Sequence, residues 1–238
     1  MTNHAILTAE EHRDLRVRTD RGVALGDAVM SCITVPSEFR QVQNDYPILF
    51  RRNPERDDFA AVALFGFEAG ENLFLDGDRW DADHQPLAIA IQPFLIGANA
   101  AGFGDKQVHI DLASPRIGTG EGTRVFAADG RPTPYLESIA EQLGALDEGY
   151  QGAGAFFAAL KRHDLLEPLT LEVTLDDGAI NRLVGFHVID EDRLRALDAA
   201  ALGELHDGDH LMPIFMALAS LANLGKLIAR KNRRMAHG

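Results

Sequence analysis

Side chains able to do chemistry are few in this 238-residue chain, and the most suggestive are His109 and Asp111 in the run QVHIDL. The run reads as a strand, whose period of two sends His109 and Asp111 to one face and Val108 and Ile110 to the other. Two such ligands and a distant histidine would make the facial triad of a non-heme iron oxygenase, with His187 on a second expected strand as the third ligand. Arg193 or Arg195 could then pair with a co-substrate carboxylate. A strand-edge histidine and a turn-starting aspartate ahead of Ser114-Pro115 explain the same residues without metal. His206 and His210 have metal-like spacing too, but Gly208 breaks the helix that would put them on one face.

The most individual stretch is GFEAGENLFLDGDRW, Gly66 to Trp80. Its anchors Phe67, Leu73, Phe74 and Leu75 alternate with polar residues, and Asp76-Gly77-Asp78 turns the chain so that the only tryptophan returns against them. Asn72, Asp76 and Trp80 are the candidate ligand-binding residues, since amphipathic aromatics serve pockets as readily as cores. Asn72 capping backbone groups is the structural alternative.

Other routes to chemistry lack their context. Gly118, Gly120 and Gly122 precede the strand-like TRVFAA rather than a helix, and Gly152-x-Gly154 follows a helix rather than a strand, so neither cradles a dinucleotide. The sequence has no G-x-S-x-G, H-E-x-x-H or P-loop motif. Cys32 lies in an apolar run as a small hydrophobe, and a lone cysteine makes neither an internal disulfide nor a paired-cysteine zinc site.

The elements that must carry these residues follow from punctuation and periodicity. Short runs bounded by Gly, Pro, Asn or Asp (MSCITV, YPILF, AAVALFGF, ENLFL, LAIAIQPFLI, QVHIDL, TRVFAA) read as strands between Met30 and Ala128, interrupted by a helix over Ser37 to Asp45. Thr133 to Leu146 and Gly152 to His163 read as a pair of amphipathic helices. Leu169 to Leu175 and Asn181 to Ile189 flank Asp177-Gly178 as a hairpin. Asp190-Glu191-Asp192 opens a helix through Leu197, and another runs through the apolar stretch Leu211 to Leu224. Strands that precede helices rather than alternate with them predict an α+β fold. A mostly antiparallel β portion, about residues 30–128, would be followed by a helix-rich portion, about 133–238, in a single domain.

Apolar residues make up 46% of the chain and charged residues 25%, the balance of an ordinary globular protein. A net charge of −13, from 23 basic and 36 acidic residues, disfavours binding to nucleic acid. No signal-peptide pattern opens the sequence, and Leu211 to Leu224 is shorter than a spanning helix needs, so a cytoplasmic protein without a transmembrane segment is expected. Lys226, Arg230, Lys231, Arg233 and Arg234 form a positive island at the C-terminus. They suit a helix end, or an anionic lipid or acidic partner.

Ser37-Glu38-Phe39 stands ahead of Asp45-Tyr46-Pro47-Ile48-Leu49-Phe50, followed by Gly70-Glu71-Asn72-Leu73-Phe74-Leu75-Asp76 with Trp80, and by Pro93-Phe94. The series continues through Ile110-Asp111 before Ser114-Pro115-Arg116, Leu165-Leu166-Glu167-Pro168, Gly185 to Asp190 before Leu194 and Leu197, and Ser220-Leu221. Through these residues, in this order, the chain resembles the SapC family of bacterial proteins. Where such proteins carry paired arginines and a tyrosine before Pro-Phe, this chain has Ala90-Ile91-Gln92, and His109 lies outside the shared pattern. The resemblance implies an accessory protein of surface-layer, envelope or uptake systems, with no established reaction. Its expected partner is a peptide, a protein or a glycan-derived ligand, and no cofactor is called for. The alternative is the iron-dependent oxygenase, or another metal-dependent modifying enzyme, built on His109, Asp111 and His187.

Overall fold

A computed structural model describes residues 3–53, 58–97 and 106–237. The first half of the chain forms β1 (His4–Ile6), α1 (Ala9–His12), β2 (Arg16–Val17), β3 (Ser31–Thr34), α2 (Phe39–Val42), β4 (Ile48–Asn53), β5 (Asp58–Leu64), β6 (Leu75–Asp76), β7 (Arg79–Trp80), α3 (Leu87–Ala90), β8 (Phe94–Gly97) and β9 (Gln107–Asp111). Then come β10 (Ile117–Gly118), β11 (Thr123–Arg124), α4 (Pro134–Arg162), β12 (Leu166–Thr174), β13 (Ile180–Ile189), α5 (Glu191–Ala196), α6 (Ala199–Asp207), α7 (Leu211–Ser220) and α8 (Asn223–His237). With 39% helix and 27% strand, antiparallel sheets and C-terminal helices, the fold is α+β as predicted. It divides into two compact units interleaved along the sequence.

The first unit comprises Met1–Asp27, Leu75–Trp80 and Leu87–Glu148. It holds the small antiparallel sheets β1-β9-β8, β10-β2-β11 and β6-β7. Val17, Ile91, Phe94, Ile110, Val125 and Phe126 form its core with Leu136, Ile139 and Leu143 from the start of α4. A buried ion pair ties its loops together. Arg116, 1% exposed, donates from Nη2 to Asp27 Oδ1 at 2.5 Å and from Nη1 to the carbonyls of Arg18 (3.2 Å) and Asp20 (2.9 Å). Asp27 Oδ2 accepts from Gly22 N at 2.8 Å, and Arg21 reaches the Ile89 carbonyl at 3.2 Å. Burial and then the neighbouring Arg116 charge pull the Arg21 guanidinium below its ordinary pKa.

The second unit comprises Ala28–Phe74, Asp81–Pro86 and Gly149–Gly238. Its centre is a five-stranded antiparallel sheet of order β12-β13-β4-β5-β3, with the expected hairpin β12–β13 at one side and β3 at the other edge. Phe156 of α4 meets Phe39 of α2 at 6.1 Å, Phe50 of β4 at 6.5 Å and the His210 ring at 5.9 Å between centroids. Helix α7 packs on α2, β4 and β13. It is stitched down by Ser220, whose Oγ accepts from Ile48 N at 2.8 Å, and by Asn223, whose Nδ2 donates to the Gln43 carbonyl at 2.7 Å.

Several sequence expectations change. The helical pair of Thr133 to Leu146 and Gly152 to His163 is one continuous helix, α4, of 29 residues. Its glycines cost propensity, but Leu136, Ile139 and Leu143 bury in the first unit and Ala153, Phe156, Phe157 and Leu160 in the second, which outweighs them. Gly149 is required for approach, since a Cβ there would lie 2.5 Å from Val35 Cγ2. Leu87–Ala90 is helical rather than a strand, ENLFL contributes only Leu75 to a strand, and α6 was not anticipated.

The apolar C-terminal stretch is helical, yet Leu218 is half-buried; the buried face is Pro213, Ile214, Met216, Ala217 and Ser220. By length and composition alone Leu211–Ala236 could cross a membrane. The positive island is largely engaged inside the second unit. Arg230 pairs with Asp81 at 2.5 Å and stacks 4.5 Å from the Phe74 ring, while Lys231 contacts Glu71 at 2.5 Å and Glu68 at 3.0 Å. Burial acts to lower the Lys231 pKa, but hydrogen bonds to Glu71 and Glu68 outweigh it and leave the ammonium raised.

Removing one partner of a buried pair strands the other charge, so Asp27→Ala should lower unfolding free energy by about 3–5 kcal/mol in urea titration. Removal of the exposed Asp129 carboxylate should change it by less than about 0.5 kcal/mol.

Candidate functional site

The hairpin residues fall into separate roles. Asn72, 2% exposed, accepts at Oδ1 from Phe74 N at 3.0 Å, the backbone-capping role considered from sequence, and its carbonyl accepts from Arg234 Nη1 at 2.9 Å. Asp76 is exposed on β6 and lies 3.6 Å from Arg79 across the turn. Trp80 is half-buried on β7, paired with Leu75 across the expected turn, where Gly77 takes φ 63°. Asn72 belongs to the second unit, whereas Asp76 and Trp80 belong to the first.

The metal candidates divide likewise. On β9, Ile110 is fully buried with Val108 packed against the same core, as period two requires. The His109 ring lies over Gly97, where a Cβ would come within 2.4 Å of Nε2. Asp111 Oδ1 accepts from Ala113 N at 3.0 Å, which is the turn-starting role. His187 lies on β13 in the second unit, its ring 5.0 Å from Phe59 in an edge-on contact. Burial and then the Arg52 charge lower its pKa. Among the described residues no group of three or more His, Cys, Asp or Glu side chains converges to hold a metal ion. His109 and Asp111 lie on β9 of the first unit and His187 on β13 of the second.

Residues not singled out from sequence build the concave site. In the second unit, pairing aligns His187, Phe50, Ala61 and Thr34 across β13, β4, β5 and β3. Cross-strand partners share a face, and Phe157 of α4 packs edge-on against Phe50 at 6.3 Å on that face. Where β5 and β3 run beyond Phe50 toward the edge of the sheet, the helix leaves space. The result is a half-open cleft of about 340 Å³ between Thr34, Phe59 and Ala61 on the strands and Tyr150, Ala153, Gly154 and Phe157 on α4. Asn53 and Asp58 also line it, and among the described residues Asp58 is the only charged one in the lining. Tyr150 is 47% exposed, and burial, then nearby Cys32, raises its pKa. Cys32 is pushed well above its ordinary range by burial and then by Glu38, so the thiol stays protonated.

Beside this cleft lies a buried polar cluster made from the Ser37-Glu38-Phe39 and Asp45-Tyr46-Pro47 segments. Glu38, 5% exposed, accepts from Thr34 Oγ1 at 2.8 Å and contacts His84 Nε2 at 3.0 Å. Tyr46 Oη donates to the His84 carbonyl at 2.5 Å, and Asp45 accepts from His84 N at 3.3 Å. Every group holds the Asp81–Pro86 segment against α2 and β3, so the cluster is a clamp. The one sequence signal for the cleft was small and aromatic residues sharing a face, as Tyr150, Ala153, Gly154 and Phe157 do, which ordinary helix packing also produces.

Asn72→Ala leaves Phe74 N without its acceptor in a buried turn and should cost about 1–3 kcal/mol in thermal or urea unfolding. Asp76→Ala, at an exposed position, should stay within about 0.5 kcal/mol of the parent.

Comparison with curated proteins and with solved structures gives no match. The segments that form the Glu38 clamp, the Asn72 turn and the Arg116 hub all fall inside the residues that a family model matches. That model, SapC, covers residues 7–227 of the 238-residue chain, and the chain belongs to the SapC family.

Proposed function

We propose that this SapC-family chain is an accessory protein of the bacterial envelope that binds an extended, apolar and basic peptide segment of a partner protein in the cleft between β3, β5 and α4. The cleft carries the reading. Its volume, about 340 Å³, is at the small end of ligand sites and suits one or two side chains rather than a whole cofactor. Its lining offers Phe59, Phe157 and Tyr150 for apolar contact and, among the described residues, no cation to hold a phosphate or carboxylate. Asp58 in the lining, on a chain of net charge −13, favours a cationic neighbour to the apolar anchor.

Peptide is favoured over glycan by position. Strand β3 is the last strand of its sheet, and its residues Ile33 and Thr34 line the cleft. An incoming strand could use its backbone while an alternate side chain enters the space beside Tyr150. A sugar would ask for several converging polar groups, and of the four polar side chains in the described lining, Thr34, Asn53, Asp58 and Tyr150, the Thr34 hydroxyl already donates to Glu38.

Gly154 supplies the test. Its Cβ position meets nothing within 4 Å, so Gly154→Leu fills the cleft and favours the helix by up to about 1 kcal/mol. Fluorescence polarisation against a library of ten-residue peptides should select sequences with an aliphatic or aromatic residue beside Lys or Arg. Gly154→Leu should abolish that binding without loss of thermal stability, and Asp58→Asn should weaken the basic peptides most. Selected peptides that bind Gly154→Leu as well as the parent would defeat the proposal.

A further inference from the structure

Helix α7 has an outer face that the fold leaves open. Met212 and Phe215 are each 53% exposed, and Ala219 and Ala222 are exposed beyond them. Their spacing of three, four and three residues is that of the contact seam between two packed helices. The chain passes from α7 into α8 through a helical turn, in which Leu221 N and Ala222 N bond back to the Leu218 and Ala219 carbonyls at 3.2 and 3.3 Å, so Ala222 follows Ala219 on the seam. From His210 to Gly225 the chain has no Asp, Glu, Lys or Arg, although the protein as a whole carries −13.

We propose that this face binds the same face of a second copy of the chain, the two α7 helices running antiparallel about a two-fold axis level with Ala217. Size and charge both point to a copy rather than to another occupant. In that arrangement Met212 stands opposite Ala222 of the second copy and Phe215 opposite Ala219, so each large side chain meets a small one twice over. The same symmetry brings exposed Lys226 within one residue of exposed Asp209 of the second copy, at both ends of the seam. A two-fold contact must be self-complementary, and a seam with knobs at one end and hollows at the other meets that condition only in the antiparallel sense. A neutral seam also lets two acidic molecules approach without placing like charges in contact.

Sedimentation velocity of the full chain over about 1–100 µM should show a monomer–dimer equilibrium. Phe215→Glu and, separately, Met212→Glu should give monomer at every concentration with unchanged far-UV circular dichroism and thermal midpoint. Lys226→Glu places like charges at both ends and should weaken the dimer about tenfold or more. Adding Asp209→Asn should recover part of that loss, because asparagine tolerates the left-handed backbone found there, φ 57°. A parent that stays monomeric throughout, or a dimer indifferent to both apolar changes, overturns the proposal. A dimer lost in Phe215→Glu but untouched by Lys226→Glu overturns the antiparallel arrangement. Flotation with phosphatidylcholine vesicles is the parallel control: a monomer that floats through Phe215 would assign the face to a membrane instead.

Discussion

The second unit is governed by the approach of α4 to its sheet. At Gly149 the helix comes so close to Val35 that any side chain would collide, and one turn later Ala153 keeps the distance short. Phe156 then fills the space against Phe39, Phe50 and His210, and Phe157 covers Phe50. Large aromatics so placed contribute several kcal/mol each by area alone, which fixes the helix despite its glycines. The cleft is what this contact leaves uncovered. Gly154 and Ala153 are too small to reach Phe59 and Ala61, so the concavity follows from the same small residues that permit the approach.

Buried polar groups account for much of what is distinctive in the sequence. The Glu38 carboxylate is met by Thr34 and His84, the two terminal nitrogens of Arg116 by Asp27 and two carbonyls, and Glu71 by Phe67 N and Lys231. Burying such groups without partners would cost more than each bond contributes, so one such residue calls for others around it. These clusters hold irregular segments, Asp81–Pro86, Arg18–Asp27 and Glu68–Phe74, that have little regular hydrogen bonding of their own. Residue types that look chemical in a sequence can thus be the fastenings of loops.

Charge is distributed to the same end. Arg230 and Lys231, which look like a free cationic tail, are drawn onto Asp81, Glu68 and Glu71 of the second unit. Their charges are thereby matched within the second unit, on a chain whose net charge is −13. The uncharged outer face of α7 is an exception on an acidic chain, and the polar side chains at the end of α7 and the start of α8, Ser220 and Asn223, bond inward.

Local patterns in the sequence determined the α+β class, the strands MSCITV, YPILF and QVHIDL, the hairpin about Asp177-Gly178 and the turn at Gly77, because period and turn chemistry act over a few residues. They also supplied the inward placement of Ile110 and the capping role of Asn72. Three outcomes depended on contacts between residues far apart in the chain. The continuity of α4 through its glycines required burial on both of its halves. The roles of His109 and Asp111 depended on their surroundings, Gly97 under the ring and Ala113 N on the carboxylate, and spacing within one strand cannot report a third ligand from another. The cleft is made of Thr34, Phe59, Ala61, Tyr150 and Gly154, ordinary residues in sequence, which become a site only when β3, β5 and α4 are brought together and one side chain between them is missing.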